Sequence, residues 1–365
     1  MQNAVFFLGA NAPEGFCSLF GELQRPPVTR FHILKGGPGN GKSTYLRTIA
    51  DAAEADGMTT ERILCASDPD SLDGLYLPQL GYAWVDGTSP HVAEPRLPGA
   101  RDIYVNLGAL WNPDALALEA GRLESLFAAH AALRRRAALY IRAAGAVYGV
   151  ITALPERIHT EKLKKRAAGI ALREFGRKAG RRGELRRRFL SAITPKGPVC
   201  LYDTAFALCG KVYVLEDPMG IAVPMLEILR EAALDAGFDV YACGHPLAPD
   251  ACRHLLVPEA GVAFVTSDLL FRCPREGARH LHMDTLMESD PALRRRLREN
   301  RRLLKSLLAA AAAAQREAKA LHDEIEALYN PGVDFGALRG AAADAAAEIA
   351  ALWKSRKTWD KSSAL

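Results

Sequence analysis

The sequence has seven cysteines, at 17, 65, 200, 209, 243, 252 and 273, but no C-x-x-C pair. That absence weighs against metal ligation by the thiols, which stays possible. The opening stretch "MQNAVFFLGANAPEGF" lacks a basic n-region and a long apolar core, so no signal peptide is expected. No run of about 18 apolar residues occurs, which argues against a membrane span. An odd number of thiols without a secretion signal reads as reduced, buried cysteines in a cytoplasm. Aromatic residues are only 7% of the chain, and no aromatic-rich pattern of a base-stacking surface accompanies its basic stretches. No N-K-x-D guanine-reading motif occurs either.

Against these gaps stands one dense motif, "FHILKGGPGNGKSTYLRTI" at 31–49. An apolar run leads into a glycine cluster, then Lys-Ser-Thr, then a helical pattern. Gly36-x-x-x-x-Gly41-Lys42-Ser43 fits the phosphate-binding loop without a mismatch, in the strand–loop–helix context that the motif requires. The expected loop comprises Gly36, Gly37, Pro38, Gly39, Asn40, Gly41, Lys42, Ser43 and Thr44. Its glycines permit backbone angles that turn successive N–H groups inward as an anion nest. The following helix directs its positive end at the same phosphates. Lys42 is expected on the β- and γ-phosphates of ATP, and the Ser43 hydroxyl on Mg²⁺.

A carboxylate on a neighbouring strand would complete the metal site. "GYAWVDGTSPH" supplies Asp86 at the end of a short apolar strand, either as metal ligand or as a cap for the next turn. "CASDPDSLDG" adds Asp68, Asp70 and Asp73. Of these, Asp68 is the candidate for orienting a water or an acceptor hydroxyl, although turn chemistry explains the cluster equally well. Gly87, not glutamate, follows Asp86, so hydrolysis is expected to be slow. His91 and Arg101 lie beyond that strand. Arg101 is a candidate for stabilising phosphate or for a structural role.

The chain also repeats itself at an offset near 180. "FLGANAPEG" (7–15) resembles "FLSAITPKG" (189–197), "FHILKGGPG" (31–39) resembles "VYVLEDPMG" (212–220), and "LPQLGYAWVDGTS" (77–89) resembles "VPEAGVAFVTSDL" (257–269). Two α/β cores of P-loop type with parallel sheets are therefore expected, each followed by a long helical hairpin. The expected divisions are 1–112, 113–188, 189–290 and 291–365. Asn112-Pro113 and Asp290-Pro291 read as helix starts, each an N-cap with proline at the first helical position. A 3-4 apolar spacing over 114–154 and 292–329 suggests coiled-coil-like seams, with His130 on the first. In the second copy the loop reads "EDPMGIAVP", so the lysine, the serine and most glycines are gone. Glu216 and Asp217 bring negative charge to it, and Thr266 stands at the place of Asp86. "HLHMD" (280–284) looks like a metal motif but aligns with strand positions 102–106. One competent site is expected, in copy one.

The net charge of +5 is uneven. Residues 113–190 hold 18 Lys/Arg against 7 Asp/Glu, an excess of +11 that leaves −6 for the rest of the chain. The basic helices at 134–188 are a candidate surface for a polyanion or nucleic acid; a solvated helical face is the alternative.

The runs "ILKGGPGNGKST", "SDPDSLDG…LP…VDGTSPHV…PGA" and "SAITPKG" resemble a poorly characterised bacterial family of tandem P-loop ATPase-like proteins. The resemblance implies nucleotide binding at 36–44 and two P-loop domains, and names no substrate. Three functions remain open: an ATPase that uses ATP as a conformational switch, a P-loop kinase acting on a small molecule, and a nucleic-acid-associated ATPase.

Overall fold

The computed structural model describes residues 2–89, 91–155, 158–176, 180–273, 278–288 and 291–363. The first α/β stretch contains β1 (Ala4–Phe7), a hairpin of β2 (Gly9–Ala12) and β3 (Gly15–Ser18), β4 (Arg30–Lys35), α1 (Lys42–Ala55), β5 (Glu61–Leu64), β6 (Leu72–Leu77), β7 (Tyr82–Asp86) and β8 (Asp102–Asn106). Helices α2 (Pro113–Ala117), α3 (Ala120–Ala153) and α4 (Thr160–Phe175) follow. The second stretch repeats the plan with β9 (Leu185–Arg188), β10 (Ser191–Thr194), β11 (Gly197–Cys200), α5 (Tyr202–Leu208), β12 (Lys211–Glu216), α6 (Val223–Asp235), β13 (Val240–His245), β14 (Ala248–Val257), β15 (Val262–Ser267) and β16 (Arg279–His282). The chain ends in α7 (Pro291–Tyr329) and α8 (Phe335–Ser363). None of the described helices is long and apolar enough to cross a membrane.

Each stretch forms a six-stranded sheet, in the orders β1-β5-β6-β7-β4-β8 and β9-β13-β14-β15-β12-β16. The two orders correspond strand for strand, as a duplication requires. The sheets are mixed, however, and not parallel throughout. In the first, β4 runs parallel to β7 and β8, but β6 runs antiparallel to both β5 and β7. The segment from β5 to β6 spans only residues 65–71, too short for the crossover that a parallel pair needs.

Two compact units share these elements. One comprises Met1–Val5, Phe20–Arg134 and Glu317–Leu365; the other comprises Phe6–Leu19 and Arg135–Arg316. In the first unit, α1 buries Tyr45, Leu46, Ile49, Ala50 and Ala53, a helical stripe, against β6 and against Leu338, Ala342 and Ile349 of α8. In the second, α6 packs against Leu163, Ala167 and Ile170 of α4. There too, Phe7 and Phe189 exchange both backbone hydrogen bonds at 2.9 Å, which joins the two short hairpins.

Asn112 caps α2 by accepting the Ala115 N–H, with Pro113 in the first turn, as its residue types dictate. Asp290, the other expected cap, lies outside the described residues. The helical stretch expected from 114 is broken after Ala117, and α3 begins only at Ala120. Its buried stripe is Ala137, Ile141, Ala144, Tyr148 and Ile151. That spacing keeps the heptad but moves two seam positions one residue on from Tyr140 and Val147.

Candidate functional site

The glycine loop at 36–44 lies between the buried strand β4 and helix α1, in the first unit. Gly39 and Gly41 have φ of 67° and 73°, the left-handed region that glycine enters without strain. Gly41 is the N-cap of α1, so the loop closes directly on the positive end of the helix. Asn40 is buried and donates from Nδ2 to the Leu107 carbonyl at 3.0 Å, which pins the loop to the turn after β8. Gly36, Gly37 and Pro38 are half-buried, and Thr44 is exposed on the first turn of α1.

Lys42 folds back over this loop. Its Nζ donates to the Gly36 and Gly37 carbonyls at 3.0 and 2.8 Å and lies 3.7 Å from Asp86 Oδ2. Strand pairing brings that carboxylate there, because Asp86 ends β7 opposite Leu34 of β4. Its other oxygen accepts the Thr88 N–H at 2.8 Å, so Asp86 both caps a turn and faces the lysine. Ser43 Oγ accepts the Leu72 N–H at 2.9 Å, which joins the loop to the start of β6. Lys42 and Asp86 are thus brought together, and Ser43, the next residue of the loop, is tied to β6.

Asp68 stands apart from them. It accepts the Ser71 hydroxyl at 2.8 Å and pairs with Lys319 of α7 at 3.5 Å, so its charge serves a turn and a helix contact. Asp73 is the buried acid of that cluster, one residue inside β6. Burial, and then the nearby Asp86 charge, push its carboxyl up to about 8. His91 Nε2 lies 3.1 Å from Asp73 Oδ2, and burial lowers the imidazole to about 4. The Cys65 thiol, beyond the end of β5, is raised well above its ordinary value by burial and then by Asp73. Sequence reading gave these three no joint role. The one legible signal was an aspartate inside a strand whose residues are all buried.

Arg101 takes the structural alternative. Its guanidinium grips Asp102 through Nε and Nη2, the latter at 3.0 Å, and donates to the Gln24 carbonyl at 2.9 Å. His280 of "HLHMD" lies 3.0 Å from Glu216 on the adjacent strand. In the basic segment, Arg181 and Arg186 pair with Asp239, Arg182 with Asp235 and Glu231, and Arg187 with Asp250.

Two features beside the loop were not legible in the motif. The Trp111 ring covers Gly37 so closely that a Cβ there would come within 2.9 Å of it. Trp111 and Tyr329, with ring centres 5.4 Å apart, line an open cavity of about 770 Å³ together with Leu116, Leu123 and Phe127. In addition, Glu326 of α7 accepts the Gly39 N–H at 3.2 Å, and Leu338 of α8 touches Gly41 where a Cβ would stand.

The second copy shows what the same frame does without these residues. Leu215 pairs with Thr266 as Leu34 pairs with Asp86, so the alignment of Thr266 with Asp86 holds in three dimensions. Asp217 replaces Gly36 and is fully buried. Its two oxygens accept the Ile221 and Ala222 N–H groups at 2.8 and 2.9 Å, so the loop closes around its own carboxylate. Arg253, also buried, neutralises that carboxylate at 3.1 Å. Comparison of the chain with family models, with curated proteins and with solved structures finds no match in any of the three.

Proposed function

We propose that the chain is a P-loop NTPase that binds one ATP with Mg²⁺ at 36–44 and uses it as a conformational switch. The observation that carries this reading is the meeting of Lys42 and Asp86 at a glycine loop that holds Ser43, at the start of α1. A polyphosphate is the ligand whose chemistry this set complements: inward amides and an ammonium for the phosphates, a hydroxyl and a carboxylate for the metal. The aromatic cavity beside Gly37 supports an adenine base, stacked on Trp111 or Tyr329 while the phosphates reach the loop. The contacts of Glu326 and Leu338 with loop glycines support the switch, since a bound phosphate would compete with the first and press on the second. Hydrolysis is slow or partner-stimulated, because no glutamate follows Asp86.

Calorimetric titration with Mg·ATP tests the reading. Lys42→Ala should weaken binding at least tenfold, about 1.4 kcal/mol. Asp86→Asn should weaken the Mg²⁺-dependent part alone. Unchanged affinity in Lys42→Ala would overturn the assignment, and a turnover of tens per second by the isolated protein would overturn the slow chemistry.

A further inference from the structure

Cys65, Asp73 and His91 come from three separate places: beyond the end of β5, the start of β6 and the turn after β7. One ligand atom from each lies within 4.8 Å of the other two. Among the described residues no other group of three or more His, Cys, Asp or Glu side chains converges in this way. We propose that this cluster is a binding site for a borderline-soft divalent transition ion, Zn²⁺ foremost, distinct from the Mg²⁺ of the nucleotide.

The donor set selects the metal class. A thiolate and an imidazole suit Zn²⁺ and disfavour Mg²⁺ or Ca²⁺, which take oxygen ligands. Bonds of about 2.0–2.3 Å in a tetrahedron place ligand atoms roughly 3.3–3.8 Å apart, so the side chains need close by only about 1 Å. Three protein ligands leave a fourth position for water or an exogenous oxygen, the pattern of reactive zinc sites.

Two observations favour a metal here. First, the three side chains already face one another: the Cys65 thiol is hydrogen-bonded to the Asp73 carboxyl, and Asp73 Oδ2, in a side chain only 8% exposed, has no donor aligned on it although His91 Nε2 is 3.1 Å away. A carboxylate oxygen and a ring nitrogen this close but misaligned are placed as two ligands of one ion are placed. Second, the duplicate acts as an internal control. Gly74 pairs with Val85 as His254 pairs with Val265, and Ile63 pairs with Gly74 as Cys243 pairs with His254. The places of Cys65, Asp73 and His91 are therefore taken by His245, Arg253 and Phe271. The guanidinium of Arg253 puts a fixed cation where copy one has a ligand. The copy that lost its phosphate loop lost this cluster too, while keeping the sheet.

Metal binding would displace the thiol proton and any proton on the Asp73 carboxyl, both of which leave to solvent. The test uses the full chain, freed of metal with a chelator, without nucleotide, and titrated with Co²⁺. One equivalent should produce the near-ultraviolet thiolate-to-cobalt band and visible bands of a four-coordinate ion, both erased by Zn²⁺ but not by excess Mg²⁺. Cys65→Ser should abolish the ultraviolet band, and His91→Gln should weaken Co²⁺ binding at least tenfold. As a readout that needs no variant, one equivalent of Zn²⁺ should protect Cys65 of the native protein from alkylation while the six other cysteines react as before. Absence of the thiolate band, its persistence in Cys65→Ser, or alkylation of Cys65 indifferent to Zn²⁺ would each overturn the site.

Discussion

In each copy a carboxylate meets backbone amides of the loop between strand and helix: Glu326 in the first and Asp217 in the second. Glu326 offers an anion to the Gly39 N–H, one of the donors that the motif reserves for phosphate. His322 lies 3.3 Å from that carboxylate, and together they favour its ionised form. Glu326→Gln keeps the shape and removes the charge. It should tighten Mg·ATP binding roughly three- to tenfold, as expected for loss of one charge-assisted competitor; calorimetry that finds equal or weaker binding would show that Glu326 does not compete. Asp217 is the more extreme case, because it is wholly buried and holds two loop amides. Asp217→Gly restores a glycine to the loop but takes from the buried Arg253 its nearer carboxylate and leaves it the more distant Asp268, at 3.6 Å. It should cost about 3 kcal/mol of stability in denaturant unfolding, the scale of a broken buried ion pair, and should gain no nucleotide binding.

Among the elements, α4 is tied to β12 by a polar clamp as well as by its apolar stripe. Glu174, near the end of α4, accepts from Lys211 Nζ and from Tyr213 OH, both at 2.6 Å, and from Arg173 at 2.9 Å. Burial works against ionisation of this carboxyl, yet these three donors outweigh it and hold the group down at about 2. A depressed carboxyl binds fewer protons folded than unfolded. Its stabilisation is therefore full above the ordinary value of 4.5 and is lost as pH falls from there toward 2. Thermal unfolding across pH 2–6 should show that decline in the native protein and a flatter profile in Glu174→Gln. Parallel profiles would mean that the clamp contributes nothing. Nothing in the spacing of the basic stretch that holds Glu174 announced this clamp, since its partners lie 37 and 39 residues away.

At the scale of the whole molecule, duplication yielded two sheets of equal order and unequal chemistry. In copy one Lys42 and Asp86 face each other at 3.7 Å beside the glycine loop, whose Gly39 N–H meets Glu326. In copy two the charges are satisfied within the protein, because Asp217 sits on the amides and Arg253 beside it. The expected stoichiometry is therefore one nucleotide per chain. Titration with a non-hydrolysable ATP analogue should give one equivalent, lost in Lys42→Ala. Two equivalents, or one that survives that substitution, would show that the second loop still binds.

The sequence by itself determined the glycine loop between strand and helix, the correspondence of the two halves, the strand that ends in Asp86, the asymmetry between the halves and the helical tails. All of these are written in short-range spacing, in turn chemistry or in the comparison of one half with the other. Only the tertiary structure decided the rest. It made the sheets mixed, because a seven-residue connection cannot cross over. It chose Asp73 over Asp68 as the buried acid, laid Trp111 on Gly37 and Glu326 on Gly39, and gathered Cys65, Asp73 and His91. Each of these depends on which strands pair and which helix faces meet. Those choices are settled by burial summed over many side chains, and no local run of residues carries that sum.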